Sequence, residues 1–272
     1  MKNQKKMTVP RLVALKKKSQ KIVMVTAYDA TFATLIDQAG VDAVLVGDSL
    51  GNVIQGHANT IPVTTDDIVY HCRAVARGVS AAHIIGDMPF TANKMSSDKT
   101  LEDAAKIIQK GHAESVKLEG GVEMAGTISK IVSSGIPVMG HVGMTPQSVH
   151  AFGGFKTQGK TRDAQKKILA DAIAVEDAGA YGVVLEGIPG ELAQEITETL
   201  KIPTIGIGAG VHCDGQVLVS YDLLGMFEDF RPGFVKQYAN LAQTIRSAVS
   251  AYAAEVRDGA FPTDTHTVFT KK

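Results

Sequence analysis

The sequence has no tryptophan and only two cysteines in 272 residues. Cys72 and Cys213 are far apart. Neither sits in a C-x-x-C or zinc-ligand spacing, so no disulfide or zinc scaffold organises the chain. Cys72 falls in a helical pattern and reads as a small core residue. Cys213 follows a glycine-rich strand end and could be exposed, but nothing near it argues for an activated thiol. Such cysteine usage fits a reducing compartment. No run of 18 apolar residues occurs, and the N-terminus lacks the apolar stretch of a secretion signal, so a cytoplasmic protein is expected, neither secreted nor membrane-spanning. An excess of one charge is missing too, with Lys+Arg and Asp+Glu at 28 each. That balance gives no reason to expect nucleic acid or an acidic membrane as partner. The one basic cluster (Lys2, Lys5, Lys6 and Lys16 to Lys18) reads as the solvated flank of a first helix.

What is present is an alternation. Hydrophobic residues make up 44%, enough for a large core. Short apolar runs alternate with helical patterns: Lys21–Tyr28 then Thr31–Gln38, Ala43–Asp48 then Asp66–Arg77, His83–Asp87 then Thr100–Lys110, Ser115–Glu119 then Met124–Ser134. Pro137–Val142 then precedes Arg162–Asp177, Gly182–Glu186 precedes Glu191–Leu200, and Pro203–Gly208 follows. The apolar runs are continuous, as in parallel strands buried on both faces. Gly40, Gly78, Gly111, Gly135 and Gly179 follow helical stretches, where a left-handed C′ residue is common. Seven β/α units are clear, Gln216–Asp222 is the candidate eighth strand, and Phe234–Val256 reads as a long final helix. The expected fold is a (β/α)8 TIM barrel of about 250 residues. It is read as one domain over residues 1–272, with an N-terminal extension over 1–20 that holds an extra helix, Val9–Lys17, and a C-terminal tail over 261–272. An open doubly wound sheet is the alternative, but its dinucleotide fingerprint is missing: Tyr28-Asp29-Ala30-Thr31 contains no glycine.

Four of these strands end with an acid beside a glycine: Gly47-Asp48, Gly86-Asp87, Glu119-Gly120 and Glu186-Gly187. In a parallel barrel all strand C-termini share one face. The two long connections, Leu50–Thr64 and Gly143–Lys160, also follow strands and belong to that face, where long loops serve as lids or binding loops. Asp48, Asp87 and Glu119 end consecutive strands about 4.8 Å apart. They can share one hard cation such as Mg2+, which keeps waters that a 2-oxo acid can displace. Acids at strand ends also act as helix N-caps. Glu186 lies across the mouth and suits proton removal, with an ion pair to a neighbouring base as the alternative. Lys117 shares a strand face with Glu119 and reads as a substrate clamp or as half of a structural pair. Ser49 offers a hydroxyl to substrate or a simple N-cap. His141 ends the fifth strand, as a structural or a catalytic residue. The glycine run Ile205–Gly210 can cradle an anion or simply allow close packing.

The blocks Val46–Gly51, Gly86–Phe90, Val116–Gly121, Gly140–Gln147, Leu185–Gly187 and Ile205–Gly210 together resemble the ketopantoate hydroxymethyltransferase family, in order, from about Met7 to Phe261. The resemblance implies a barrel enzyme of pantothenate synthesis. It would move the one-carbon unit of 5,10-methylenetetrahydrofolate onto 3-methyl-2-oxobutanoate, giving 2-dehydropantoate. By the same resemblance Asp48, Asp87 and Glu119 hold Mg2+, and Ser49, Asp87 and Lys117, with Asp48, hold the oxo acid. Glu186 accepts the C3 proton of the oxo acid, which leaves a magnesium-stabilised enolate, and the enolate attacks the methylene carbon of the opened folate. A homo-oligomer, often a decamer, is the implied assembly. A magnesium-enolate barrel of the phosphoenolpyruvate mutase and isocitrate lyase type is a rival, but those lyases usually carry a lid cysteine, and neither long loop has one. A non-catalytic barrel would not need four acids at one mouth. With no tryptophan, stacking on a pterin would fall to Phe, Tyr or apolar loop residues.

Overall fold

The computed structural model describes residues 5–270. Two compact units divide the chain, one running to Ser220 and one starting at Tyr221. The first holds eight parallel strands closed in sequence order into a barrel. They are β1 Ile22–Thr26, β2 Ala43–Val46, β3 His83–Asp87, β4 Ser115–Glu119, β5 Val138–Gly143, β6 Gly182–Glu186, β7 Thr204–Ile207 and β8 Gly215–Leu218. β8 also pairs with β1 and closes the ring. The expected (β/α)8 architecture is therefore the observed one. The weakest strand signal, Gln216–Asp222, is real but shorter, because Ser220 already begins the short helix α11, Ser220–Leu223.

The barrel helices are α2 Ala30–Gln38, α4 Thr65–Gly78, α6 Ser97–Gly111, α7 Ala125–Ser133, α9 Arg162–Asp177 and α10 Gly190–Thr199. Sequence sets their starts: Asp29 caps α2, Ser96 caps α6, Thr161 caps α9, and Thr64 with Asp67 forms a capping box on α4. Each cap satisfies a backbone N–H that has no partner inside the helix. The glycine stop signal needs a correction. Gly40, Gly135 and Gly179 are left-handed as expected, but Gly78 and Gly111 lie inside their helices. Gly78 is required for approach instead: a Cβ there would lie 2.2 Å from the Ala30 carbonyl oxygen on α2. After α6 the left-handed residue is His112, at φ 62°.

Period two along each strand aims alternate residues into the barrel. The inward series is His83, Ile85, Asp87 on β3; Ser115, Lys117, Glu119 on β4; Met139, His141 on β5; and Val184, Glu186 on β6. Apolar members pack with Ile22, Met24, Leu45, Ile205 and Val217 into one core. Leu12 of α1, Val9–Lys17, joins that core and is 2% exposed, so the N-terminal helix seals the floor of the barrel. The acids of that series stand at the C-terminal ends of β3, β4 and β6. Turns on the floor side are three or four residues long. The long connections after β2 and β5 lie on the other side and carry short helices, α3 Leu50–Val53 and α8 Val149–Phe152. A further one, α5 Phe90–Lys94, follows β3.

In the second unit the last helix, α12, spans Leu241–Arg257, starting seven residues later than the expected Phe234. Asn240 sets that start by accepting a hydrogen bond from the Gln243 N–H. Arg246 pairs with Glu228, and Tyr252 packs edge-on against Phe261 of the tail. Lys271 and Lys272 of the expected tail, like residues 1–4 of the expected extension, lie outside the described residues.

Candidate active site

Strand register brings the polar groups together. β3–β4 pairing sets Asp87 beside Lys117, and β4–β5 pairing sets Glu119 beside His141. Lys117 Nζ is 2.8 Å from Asp87 Oδ1. Asp48 lies two residues beyond β2, and its backbone N–H donates to Asp87 Oδ2 at 3.0 Å. None of the four acids caps a helix. The corresponding N-cap positions are Ser49, Pro89, Gly121 and Pro189. Ser49 begins α3, but its hydroxyl makes no capping bond. It pairs instead with the Tyr28 hydroxyl at 2.8 Å.

His141 links the two sides of the mouth. Its Nδ1 is 3.2 Å from Lys117 Nζ, and its Nε2 is 3.1 Å from the Met144 carbonyl and 3.2 Å from Glu186 Oε2. An ammonium can only donate. Nδ1 therefore accepts from Lys117, and the Nε2–H faces Met144 and Glu186. The side chain nearest Glu186 in this cluster is the His141 ring, not the Lys or Arg of the alternative pair.

The charges do not balance. Asp48, Asp87 and Glu119 are buried at 4%, 1% and 0% exposure, whereas the Glu186 side chain keeps 13%. All four lie within electrostatic reach of Lys117. Burial pushes the Asp87 carboxyl up to about 7 despite Lys117, with Asp48 adding repulsion. Burial also holds Glu119 well above the usual carboxylate range, with Lys117 opposing and Asp48, Asp87 and Glu186 reinforcing the rise. Glu186 is pushed up to about 8 by burial, opposed by Lys117 and reinforced by Asp48. For Lys117, burial favours the neutral amine, but the surrounding carboxylates outweigh it and hold the ammonium charged. Buried carboxylates in excess of their counter-charges call for protons or a metal ion.

Among the described residues, no group of three or more His, Cys, Asp and Glu side chains is drawn tightly enough to cage a metal ion. The set is open, not closed. Glu119 Oε1 is buried without a hydrogen bond, as is Asp87 Oδ1 apart from its charge contact with Lys117. Hard carboxylate oxygens left in that state fit a hard cation, and Mg2+ takes one or two carboxylates while keeping waters.

Two residues that the sequence does not single out as site residues join the cluster. Gln147, in the β5–α9 loop, donates from Nε2 to Asp48 Oδ2 at 3.0 Å. Asn93, on α5, donates from Nδ2 to the Glu119 carbonyl at 2.9 Å and to Gln147 Oε1 at 3.0 Å. Pro146-Gln147 does stand in the Gly140–Gln147 block, but its reach across to Asp48 depends on the folded loop. Cys72 lies on α4 and Cys213 between β7 and β8. Both are fully buried with thiols raised by burial, which corrects the expectation that Cys213 could be exposed.

The sequence profile of the family described as ketopantoate hydroxymethyltransferase matches residues 6–264. A 3-methyl-2-oxobutanoate hydroxymethyltransferase from Magnetococcus marinus (strain ATCC BAA-1437 / JCM 17883 / MC-1) is 52% identical over 262 residues, covering 96% of this chain and 98% of the relative. One of the same name from Clostridium beijerinckii (strain ATCC 51743 / NCIMB 8052) is 51% identical, covering 96% and 95%. Among solved structures, phosphonopyruvate hydrolase in complex with oxalate and Mg++ superposes with a TM-score of 0.61 at 14% identity, covering 96% of this chain and 93% of that one. The structure of 2,3-dimethylmalate lyase gives 0.61 at 16% identity, covering 96% and 91%. At those identities the likeness is one of fold.

Proposed function

The chain belongs to the ketopantoate hydroxymethyltransferase family and is an enzyme, and from that premise we propose that it hydroxymethylates 3-methyl-2-oxobutanoate to 2-dehydropantoate, with 5,10-methylenetetrahydrofolate as donor. The observation that carries the reading is the division of the acids: three buried around Lys117, and Glu186 opposite, held by His141 and open to the mouth.

Asp48 and Asp87, with Glu119 behind them, would hold Mg2+, which when bound supplies Lewis-acid polarisation of the keto group. Lys117 and the Ser49 hydroxyl bind the oxo acid's carboxylate end. Glu186 accepts the proton from C3, and its raised affinity for a proton suits a base that must take one from a weak carbon acid. His141, donating from Nε2, holds the acceptor oxygen in place. C3 then forms its bond to the donor's methylene carbon, whose two C–N bonds break in the course of the turnover; one water supplies the product's hydroxyl oxygen, and tetrahydrofolate leaves with the C3 proton and one proton of that water on its two nitrogens. The loops after β2 and β5 limit access of bulk water to the carbanion equivalent. A cytoplasmic homo-oligomer belongs to the same reading. Ile245, Val249, Tyr252 and Val256 form an exposed apolar stripe at helical spacing on α12, the kind of face that self-association covers.

A coupled assay for tetrahydrofolate release from methylenetetrahydrofolate and the oxo acid, with and without Mg2+, tests the proposal. Oxo-acid-dependent release that is lost with EDTA is expected. Release independent of the oxo acid would overturn it.

A further inference from the structure

We infer that Gln147, itself oriented by Asn93, is a positioning residue that sets the Asp48 and Glu119 carboxylates for the cation and the oxo acid. The inference rests on the proposed role of those acids.

Gln147 is 3% exposed and reaches both carboxylates at once. Its backbone N–H donates to Glu119 Oε2 at 3.2 Å, and its Nε2 donates to Asp48 Oδ2 at 3.0 Å. The same Nε2 donates to the Met88 carbonyl at 2.8 Å. Oε1 accepts from Asn93 Nδ2 at 3.0 Å. The amide is thus committed at both ends. A flipped amide would set its oxygen against Asp48 and the Met88 carbonyl, and its NH2 against the NH2 of Asn93. Both contacts would be repulsive, so Asn93 fixes which end faces Asp48.

Asn93 is fully buried on α5 and gives its other Nδ2 bond to the Glu119 carbonyl. Its own Oδ1 has no hydrogen-bond partner. An apolar side chain of similar size would avoid that unfavourable burial. The amide therefore serves through its donors, and these run to Gln147 and to the backbone of Glu119. Side chains from the loops after β3 and β5 thereby tie the acids of β2 and β4 into one unit. Partners that orient metal-binding carboxylates in this way typically govern affinity about 10- to 100-fold.

Calorimetric titration of Mg2+-loaded protein with 3-methyl-2-oxobutanoate tests this, with proton exchange at C3 followed by NMR as a second readout. Gln147→Met keeps length and loses the donor. It should weaken oxo-acid affinity at least about tenfold while the thermal midpoint stays near that of the unmodified protein. Asn93→Ala should weaken affinity in the same direction. The double variant should lose less than the product of the two single losses, because the two amides act on the acids as one linked unit. Unchanged affinity in Gln147→Met, or losses that multiply in the double variant, would overturn the inference. If Gln147→Met does not fold, Asn93→Ala decides alone, and unchanged affinity there overturns it. Asp48→Asn is the control. If it binds like the unmodified protein, the reading of the acids fails. If it binds weakly while Gln147→Met binds normally, only the role of Gln147 fails.

Discussion

His141 Nε2 stands 3.2 Å from Glu186 Oε2, while Nδ1 of the same ring stands 3.2 Å from Lys117 Nζ. One imidazole therefore joins the candidate proton acceptor to the candidate substrate clamp. Lys117 fixes the tautomer, and the tautomer supplies Glu186 with a donor. The coupling makes the two halves of the site interdependent, and the first two predictions separate them.

Glu186→Gln keeps the shape of the side chain and removes its basicity. C3 proton exchange of 3-methyl-2-oxobutanoate should fall by at least about 100-fold, the range expected for a general base. Affinity for the oxo acid should stay within about threefold, because the base contributes to the transition state more than to ground-state binding. NMR exchange in deuterium oxide checks this. Exchange at the unmodified rate would remove Glu186 from the role.

Asp87→Asn should act in the opposite way. The variant keeps a side-chain oxygen but loses the carboxylate that faces Lys117 and would face the proposed cation. Mg2+-dependent oxo-acid binding should weaken by about tenfold or more. Calorimetry with and without Mg2+ reads the difference. Equal affinity in the two proteins would count against Asp87 as a cation ligand.

His83 should make stability depend on acidity. It lies on the floor side of the barrel, 3% exposed, with Nε2 at 2.9 Å from the Ser115 hydroxyl, which in turn meets Tyr181. Burial lowers its pKa to about 4, with Glu114 opposing and Lys6 assisting. The folded state thus refuses a proton that the unfolded chain accepts below the ordinary value of 6.5. Stability should be full above about pH 6.5 and fall as the pH drops towards 4, by up to about 3 kcal/mol from this group. Urea unfolding at pH 7 and pH 4.5 measures the loss. In His83→Gln that component should vanish, and an unchanged slope would refute its origin in His83.

Gly78→Ala should destabilise the protein although alanine is the better helix former. The added methyl would sit 2.2 Å from the Ala30 carbonyl oxygen. The propensity gain of about 1 kcal/mol should be outweighed, leaving a net loss of about 1–3 kcal/mol as α4 is forced from α2. A lower urea midpoint with unchanged slope is expected. A higher midpoint would show that the helices separate freely.

The sequence was most legible where local chemistry decides. β3, β4, β6 and α9 have the bounds that their patterns predict, because continuous apolar runs and a Thr161 cap need no tertiary information. The period-two alternation on β4 likewise puts Lys117 and Glu119 on one face, where both are buried. Legibility failed where long-range packing decides. Gln147 and Asn93 come from short helical turns in the long connections, and their partners lie up to 99 positions away in the chain. Gly78 and Gly111 looked like stop signals, yet at Gly78 the reason for glycine is a neighbouring helix. The late start of α12 had a local signal, Asn240 as cap, obscured by the apolar residues before it.

Ring closure also governs how copies of this chain can meet. Each of the eight strands has a partner on both sides, so the sheet presents no row of free N–H and C=O groups. Strand addition, the route by which open sheets recruit extended peptides or nucleate fibrils, has no starting point here. Among the described residues, contacts between copies are left to the side chains of helices and loops. Specificity of assembly then becomes a matter of side-chain shape and charge, adjustable by substitution without disturbing the backbone ladder that carries the reacting groups.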